Sequence, residues 1–152
     1  MAQENKYYGV KGWLLVLCII LTIIIPLLRS TTLASSLREE VGYPSFHNPQ
    51  EKALVILDSL LVVALIIFSL YAGLGLWLRR KGAVGIAKAF MLICIAYGLL
   101  TLTYPLIGGF SSYTNSALII LLLKQTAYYL AFFGFWYAYL CRSKRVEATY
   151  PS

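Results

Sequence analysis

The chain has 152 residues, of which 60% are hydrophobic and only 12% charged, where a soluble domain carries about a quarter charged residues. Four long apolar runs take up most of that length, which excludes a soluble domain beside them and leaves a single membrane-embedded domain, residues 1–152. The formal net charge of +7 does not point to nucleic acid, because the bases gather at the ends of the apolar runs rather than in one patch.

The first run extends from about Gly12 to Leu28. Lys6 and Lys11 precede it and Thr32-Leu33-Ala34 follows, a pattern with some likeness to a cleaved signal. The stretch Trp13 to Leu28 is long for a signal core and contains Pro26, so it reads as a retained span. Residues Arg29 to Lys52 then form the one long connection. Thr31 to Glu40 has the composition of a short interfacial helix, ended by Gly42, Pro44, Asn48 and Pro49.

The second run covers about Ala53 to Leu78 and bears a stripe of Asp58, Leu65, Ser69, Ala72 and Gly73. Ser69 and Gly73 make a small-xxx-small pair of the kind that lets helix backbones approach in lipid. After the basic turn Arg79-Arg80-Lys81-Gly82, the third run spans about Gly85 to Ile107, with Tyr97, Thr101, Tyr104 and Gly108 on one face. An uncharged loop, Gly108 to Asn115, leads to the fourth run, about Ala117 to Cys141. There Ala117, Ile120, Lys124, Ala127, Ala131, Gly134 and Ala138 alternate at three and four residues. Being mostly small, this stripe is expected to be the packed face. Continuous apolar runs such as Leu60 to Phe68 do not alternate, so helices and not a β-barrel are expected: an all-α bundle of four transmembrane helices.

Charge sets the expected orientation. With both termini cytoplasmic, Lys6, Lys11, Arg79, Arg80, Lys81, Lys88, Arg142, Lys144 and Arg145 lie inside, and Arg29, Arg38, Lys52 and Lys124 outside. This excess of cytoplasmic bases satisfies the positive-inside rule and also suits anionic lipid headgroups at the inner face. Trp13, Trp77, Trp136, Tyr137 and Tyr139 fall near the expected inner boundary, and Tyr43, Tyr104 and Tyr113 near the outer one, where amphipathic rings belong.

Asp58 and Lys124 are the charges flanked by apolar sequence on both sides. Counting back from Arg79 and Arg142 places them about 32 and about 27 Å along their helices, at similar depth. The expectation is an intramembrane ion pair, supported by Thr101, Tyr104 and Gln125. The alternative has Lys124 reaching outer headgroups and Asp58 favoured near a helix N-terminus.

Other chemistry is sparse. Cys18, Cys94 and Cys141 fall in three different spans without a Cys-x-x-Cys pair, and His47 is the sole histidine. That set supplies neither a zinc nor a haem site, so no metal or cofactor is expected. Phosphate-binding loops and nucleophile elbows are absent, and no enzyme is expected.

Two segments carry a resemblance. Tyr8-Gly9-Val10-Lys11-Gly12-Trp13-Leu14-Leu15, and Ser143-Lys144-Arg145-Val146 followed by Thr149-Tyr150, are similar to the opening and closing motifs of the DUF2569 family of small four-span bacterial inner-membrane proteins. Lys11 stands where a small residue is expected. The resemblance implies four spans and cytoplasmic termini and brings no catalytic or binding residues. Anchoring explains the basic and aromatic residues of both motifs. A sharper reading makes Gly9, Gly12, Trp13, Ser143, Lys144, Arg145 and Val146 one inner-face interaction surface. The expected function is that of a non-enzymatic accessory or interaction protein of the inner membrane. It would act by helix packing with a membrane partner or as a homo-oligomer, without nucleic acid. The alternative is a small transporter or channel using Asp58 and Lys124.

Overall fold

The computed structural model describes residues 10, 12–42, 49–104 and 116–150. Gly9, Lys6, Lys11, His47, Pro44 and the Gly108 to Asn115 loop lie outside the described residues. The elements in order are α1 (Trp13–Ile19), a π-helical turn (Ile20–Ile24), α2 (Ile25–Gly42), α3 (Pro49–Trp77), α4 (Ala83–Thr101), α5 (Ser116–Arg142) and a short α6 (Lys144–Thr149). Four stretches are long and apolar enough to cross a membrane: Trp13–Ser35, Lys52–Trp77, Ala83–Thr101 and Ile119–Arg142. No strand occurs among the described residues.

Lipid as solvent explains the surface. Leu28, Leu60, Ile67, Leu78 and Phe135 are all exposed, as apolar as the interior they surround. The core is set instead by volume and close approach. Leu14, Leu17, Leu21, Leu76, Phe90 and Met91 are fully buried. The Phe90 ring meets Phe68 at 5.6 Å and Phe133 at 6.3 Å, both edge-on, an arrangement worth about 0.5–1.5 kcal/mol per pair beyond burial.

The first span departs from the expected break at Leu28. Its helix runs unbroken into α2, so the Thr31 to Glu40 segment continues the first helix and is not a separate interfacial one. Pro26 is accommodated inside this helix by the π-turn. The Ile25 N–H bonds to the Ile20 carbonyl, a five-residue step. Pro26 has no N–H to offer the next carbonyl, that of Leu21. The Ser69 hydroxyl of α3 donates to the Leu21 carbonyl instead, at 2.7 Å, and is itself fully buried. One turn on, a Cβ at Gly73 would lie 2.5 Å from Thr22 Cγ2 and 3.0 Å from Leu21 Cβ. The Ser69-Gly73 pair is therefore a point of close approach between α3 and the first helix.

At the proximal end, where α1 begins and α5 ends, α3 closes with a Schellman turn. Arg80 N–H reaches the Gly75 carbonyl at 3.1 Å, and Arg79, at φ 49°, bonds to Leu76 at 3.2 Å. Helix α6 folds back beneath the bundle with Val146 and Thr149 buried, and the Tyr150 hydroxyl donates to the Leu76 carbonyl. Burial pushes the Tyr150 phenol above its ordinary range, which keeps it a donor. Trp13 packs on Phe135 and Trp136 at 6.4 and 6.2 Å, joining the first helix to α5. Trp136 is a core residue, 3% exposed, rather than the boundary anchor its position suggests, whereas Trp13 and Trp77 are exposed.

Candidate functional site

Away from the proximal end, the four helices line a partly open cavity of about 460 Å³ in which several polar side chains gather. Each contributes from its inward stripe: Arg29 from α2, Asp58 from α3, Tyr97 and Thr101 from α4 and Tyr129 from α5, with Tyr104 just beyond α4. The volume falls within the range of small-molecule sites.

Asp58 is half-buried, and its Oδ1 accepts hydrogen bonds from the Tyr97 and Tyr104 hydroxyls, each at 2.8 Å. Tyr97 lies within α4 and Tyr104 just past the turn that ends it, and both hydroxyls converge on one carboxylate oxygen. Thr101 lines the cavity, with its hydroxyl donating to the Gly98 carbonyl at 2.8 Å. Thr126, buried on α5, donates to the same carbonyl at 3.2 Å. A Cβ at Gly98 would lie 3.2 Å from Tyr129 Cβ, so glycine here brings α4 and α5 together at the cavity wall.

The expected Asp58–Lys124 pair is not formed, and no ion pair joins these two among the described residues. Lys124 is exposed, although the neighbouring Gln125 lines the cavity. The reason is the face that α5 buries. Its inward stripe is Thr126, Phe133, Trp136 and Leu140 with half-buried Tyr129. Lys124 belongs to the opposite stripe, where Ile120, Ala127, Ala131 and Ala138 are exposed and Gly134 half-buried. Small residues were expected to mark the packed face. The buried positions of α5 are taken instead by the large side chains of Phe133, Trp136 and Leu140.

Arg29 is the cation that the cavity contains. It is only 9% exposed, with its guanidinium carbon 4.8 Å from the Tyr97 ring centroid and 5.1 Å from that of Tyr129. Such cation–π contacts strengthen when desolvated, to about 2 kcal/mol. Nη2 is buried and makes no hydrogen bond. The Tyr97 ring thus touches both charges, with its face toward Arg29 and its hydroxyl on Asp58. Ending the first span at Leu28 hides Arg29. The available signal is the buried series Leu14, Leu17, Leu21 and Ile25, which steps by three and four residues onto Arg29.

At the proximal end the two terminal motifs meet. A Cβ at Gly12 would lie 3.2 Å from Arg145 Nη1, and Gly12 has φ 62°, ψ −134°, a backbone region open to glycine. Of this expected interaction surface, Val146 is buried, Ser143 and Arg145 are half-buried, and Trp13 and Lys144 are exposed. Beside it lies a basic cavity of about 710 Å³ whose lining includes Arg79, Arg80, Lys81, Lys88 and Arg142 with Glu147. Among the described residues, no three His, Cys, Asp or Glu side chains gather as a metal site.

Residues 7–151 match the sequence profile of a family described as "Protein of unknown function (DUF2569)". The chain belongs to the DUF2569 family. The match covers both terminal motifs and all four spans of this DUF2569 protein. No curated protein and no solved structure matches it.

Proposed function

We propose that this DUF2569 protein is a non-enzymatic, multi-pass binding protein of the bacterial inner membrane, with both termini cytoplasmic. Its cavity among Arg29, Asp58, Tyr97 and Tyr129 would hold a ligand bearing an anionic group. One observation carries this reading: Arg29 is nine-tenths buried in an apolar bundle with one guanidinium nitrogen unsatisfied. Buried polar groups are satisfied in the great majority of cases, and a charge within a span usually marks function. An anion on Nη2 supplies the missing acceptor.

Binding is better supported than conduction. Beneath the cavity the interior is filled by the packed rings of Phe68, Phe90 and Phe133, and Lys124 stands outside it. An accessory role through helix contacts is favoured by the outward stripe of Ala127, Ala131 and Ala138, which permits another helix to approach closely. Both roles are compatible with one bundle.

The binding reading is tested by thermal unfolding of delipidated protein titrated with total polar lipid and, separately, with inorganic phosphate. A ligand at 100 times its Kd stabilises by about 2.7 kcal/mol. The wild type gains stability with at least one probe, and Arg29→Met does not respond. Equal responses of both proteins, or no response of the wild type to either probe, would overturn the proposal.

A further inference from the structure

The polar cavity shares Arg29, Thr32 and Tyr129 with a second cavity of about 400 Å³. This second space is an apolar groove between the first helix and α5, lined by Ile24, Leu28, Tyr128 and Phe132. Those four residues are exposed, so the groove opens on the face that the helices present to acyl chains. Toward the proximal end the same two helices are joined by Trp13 against Phe135 and Trp136. Arg29 therefore stands where a lipid-facing groove runs into a polar cavity.

A molecule that uses both spaces is amphiphilic, with its anion at Arg29 Nη2 and an apolar tail along Leu28 and Phe132. Asp58, which lines the same cavity, adds a second condition. It places a fixed carboxylate there, held by two phenols, so the site carries one cation and one anion. A head group with a phosphate and an ammonium matches both charges. A head with a phosphate and neutral hydroxyls leaves Asp58 facing no cation, and its net negative charge is repelled by the carboxylate.

We infer that the ligand is a phospholipid with an ammonium-bearing head: phosphate on Arg29, ammonium against Asp58 and one acyl chain in the groove between the first helix and α5. This rests on the reading of the cavity as a binding site and adds the ligand's class.

The test is native mass spectrometry of delipidated full-length protein offered three probes: dioleoyl phosphatidylethanolamine, dioleoyl phosphatidylglycerol and chain-free glycerophosphoethanolamine. Wild type retains one phosphatidylethanolamine, about tenfold tighter than phosphatidylglycerol, and does not retain the chain-free head. Leu28→Trp fills the groove from its exposed side, without touching the core, and weakens retention about tenfold. Asp58→Asn, which still accepts from both phenols, abolishes the preference between the two lipids. Equal retention of both lipids by wild type overturns the ammonium assignment. Chain-free head held as well as intact lipid, with Leu28→Trp without effect, overturns the lipid assignment while leaving the cavity a site for a soluble phosphate compound. Folded wild type that retains none of the three probes overturns the inference entirely.

Discussion

Two phenols converge on a single carboxylate oxygen at Asp58, and this shapes what single substitutions do there. Tyr97→Phe and Tyr104→Phe should each cost about 1 kcal/mol, within the range for hydrogen bonds inside membrane proteins. The double variant should cost more than their sum, because only then does Oδ1 lose both phenol donors. Equilibrium unfolding in mixed detergent measures this cycle, and strict additivity would show that the two bonds act independently. Lys124 sits on the exposed face, so Lys124→Met should change stability by less than about 0.5 kcal/mol. Combining Asp58→Lys with Lys124→Asp should rescue nothing; a double variant more stable than Asp58→Lys alone would reinstate the direct pair. Asp58 was legible in the sequence as a charge in apolar surroundings, and Tyr104 as a neighbour at its depth. Lys124 drew attention by the same rule, yet depth does not specify which side of a helix faces inward, and the volume of Phe133 and Trp136 decided that. Arg29 was hidden because a charge after an apolar run reads as the run's end.

Among the elements, the first helix shows how a proline is kept inside a span. In the π-turn register the missing N–H of Pro26 falls opposite the Leu21 carbonyl, and Ser69 of α3 donates to that carbonyl instead. Ser69→Ala should therefore destabilise by about 1 kcal/mol in the wild-type background. In a Pro26→Ala background, where the backbone can close its own bonds, the loss should shrink toward zero. A double-mutant cycle reads this coupling, and an unchanged Ser69→Ala cost would contradict it. Gly73→Leu should be far more severe, since its first side-chain atom already meets Thr22. The four spans and the Ser69-Gly73 approach were legible from hydropathy and small-residue spacing. The continuity of α1 through α2 was not, because Pro26 and Arg29 both resemble stop signals and their compensation lies on another helix.

The whole molecule is a bundle whose two ends differ. The proximal end is basic and closed by α6, with Arg145 over Gly12 and Tyr150 on Leu76. The other half contains the polar cavity and its side groove. Cys141 is exposed at the proximal end, whereas Cys18 and Cys94 are buried, so one native thiol reports orientation. A membrane-impermeant maleimide should label Cys141 in inverted membrane vesicles and not in right-side-out ones; the reverse pattern would invert the proposed topology. The account's central claim is that Arg29 is retained for an external anion and not to hold the bundle together. Losing the ring contacts to Tyr97 and Tyr129 costs stability, but removing a buried charge relieves a desolvation cost of several kcal/mol that offsets them, whereas breaking a structural pair costs about 3–5 kcal/mol. The most direct test is the unfolding free energy of ligand-free Arg29→Met against ligand-free wild type. The account predicts a variant at least as stable as wild type, and a loss of about 3 kcal/mol or more would contradict it, assigning Arg29 to structure.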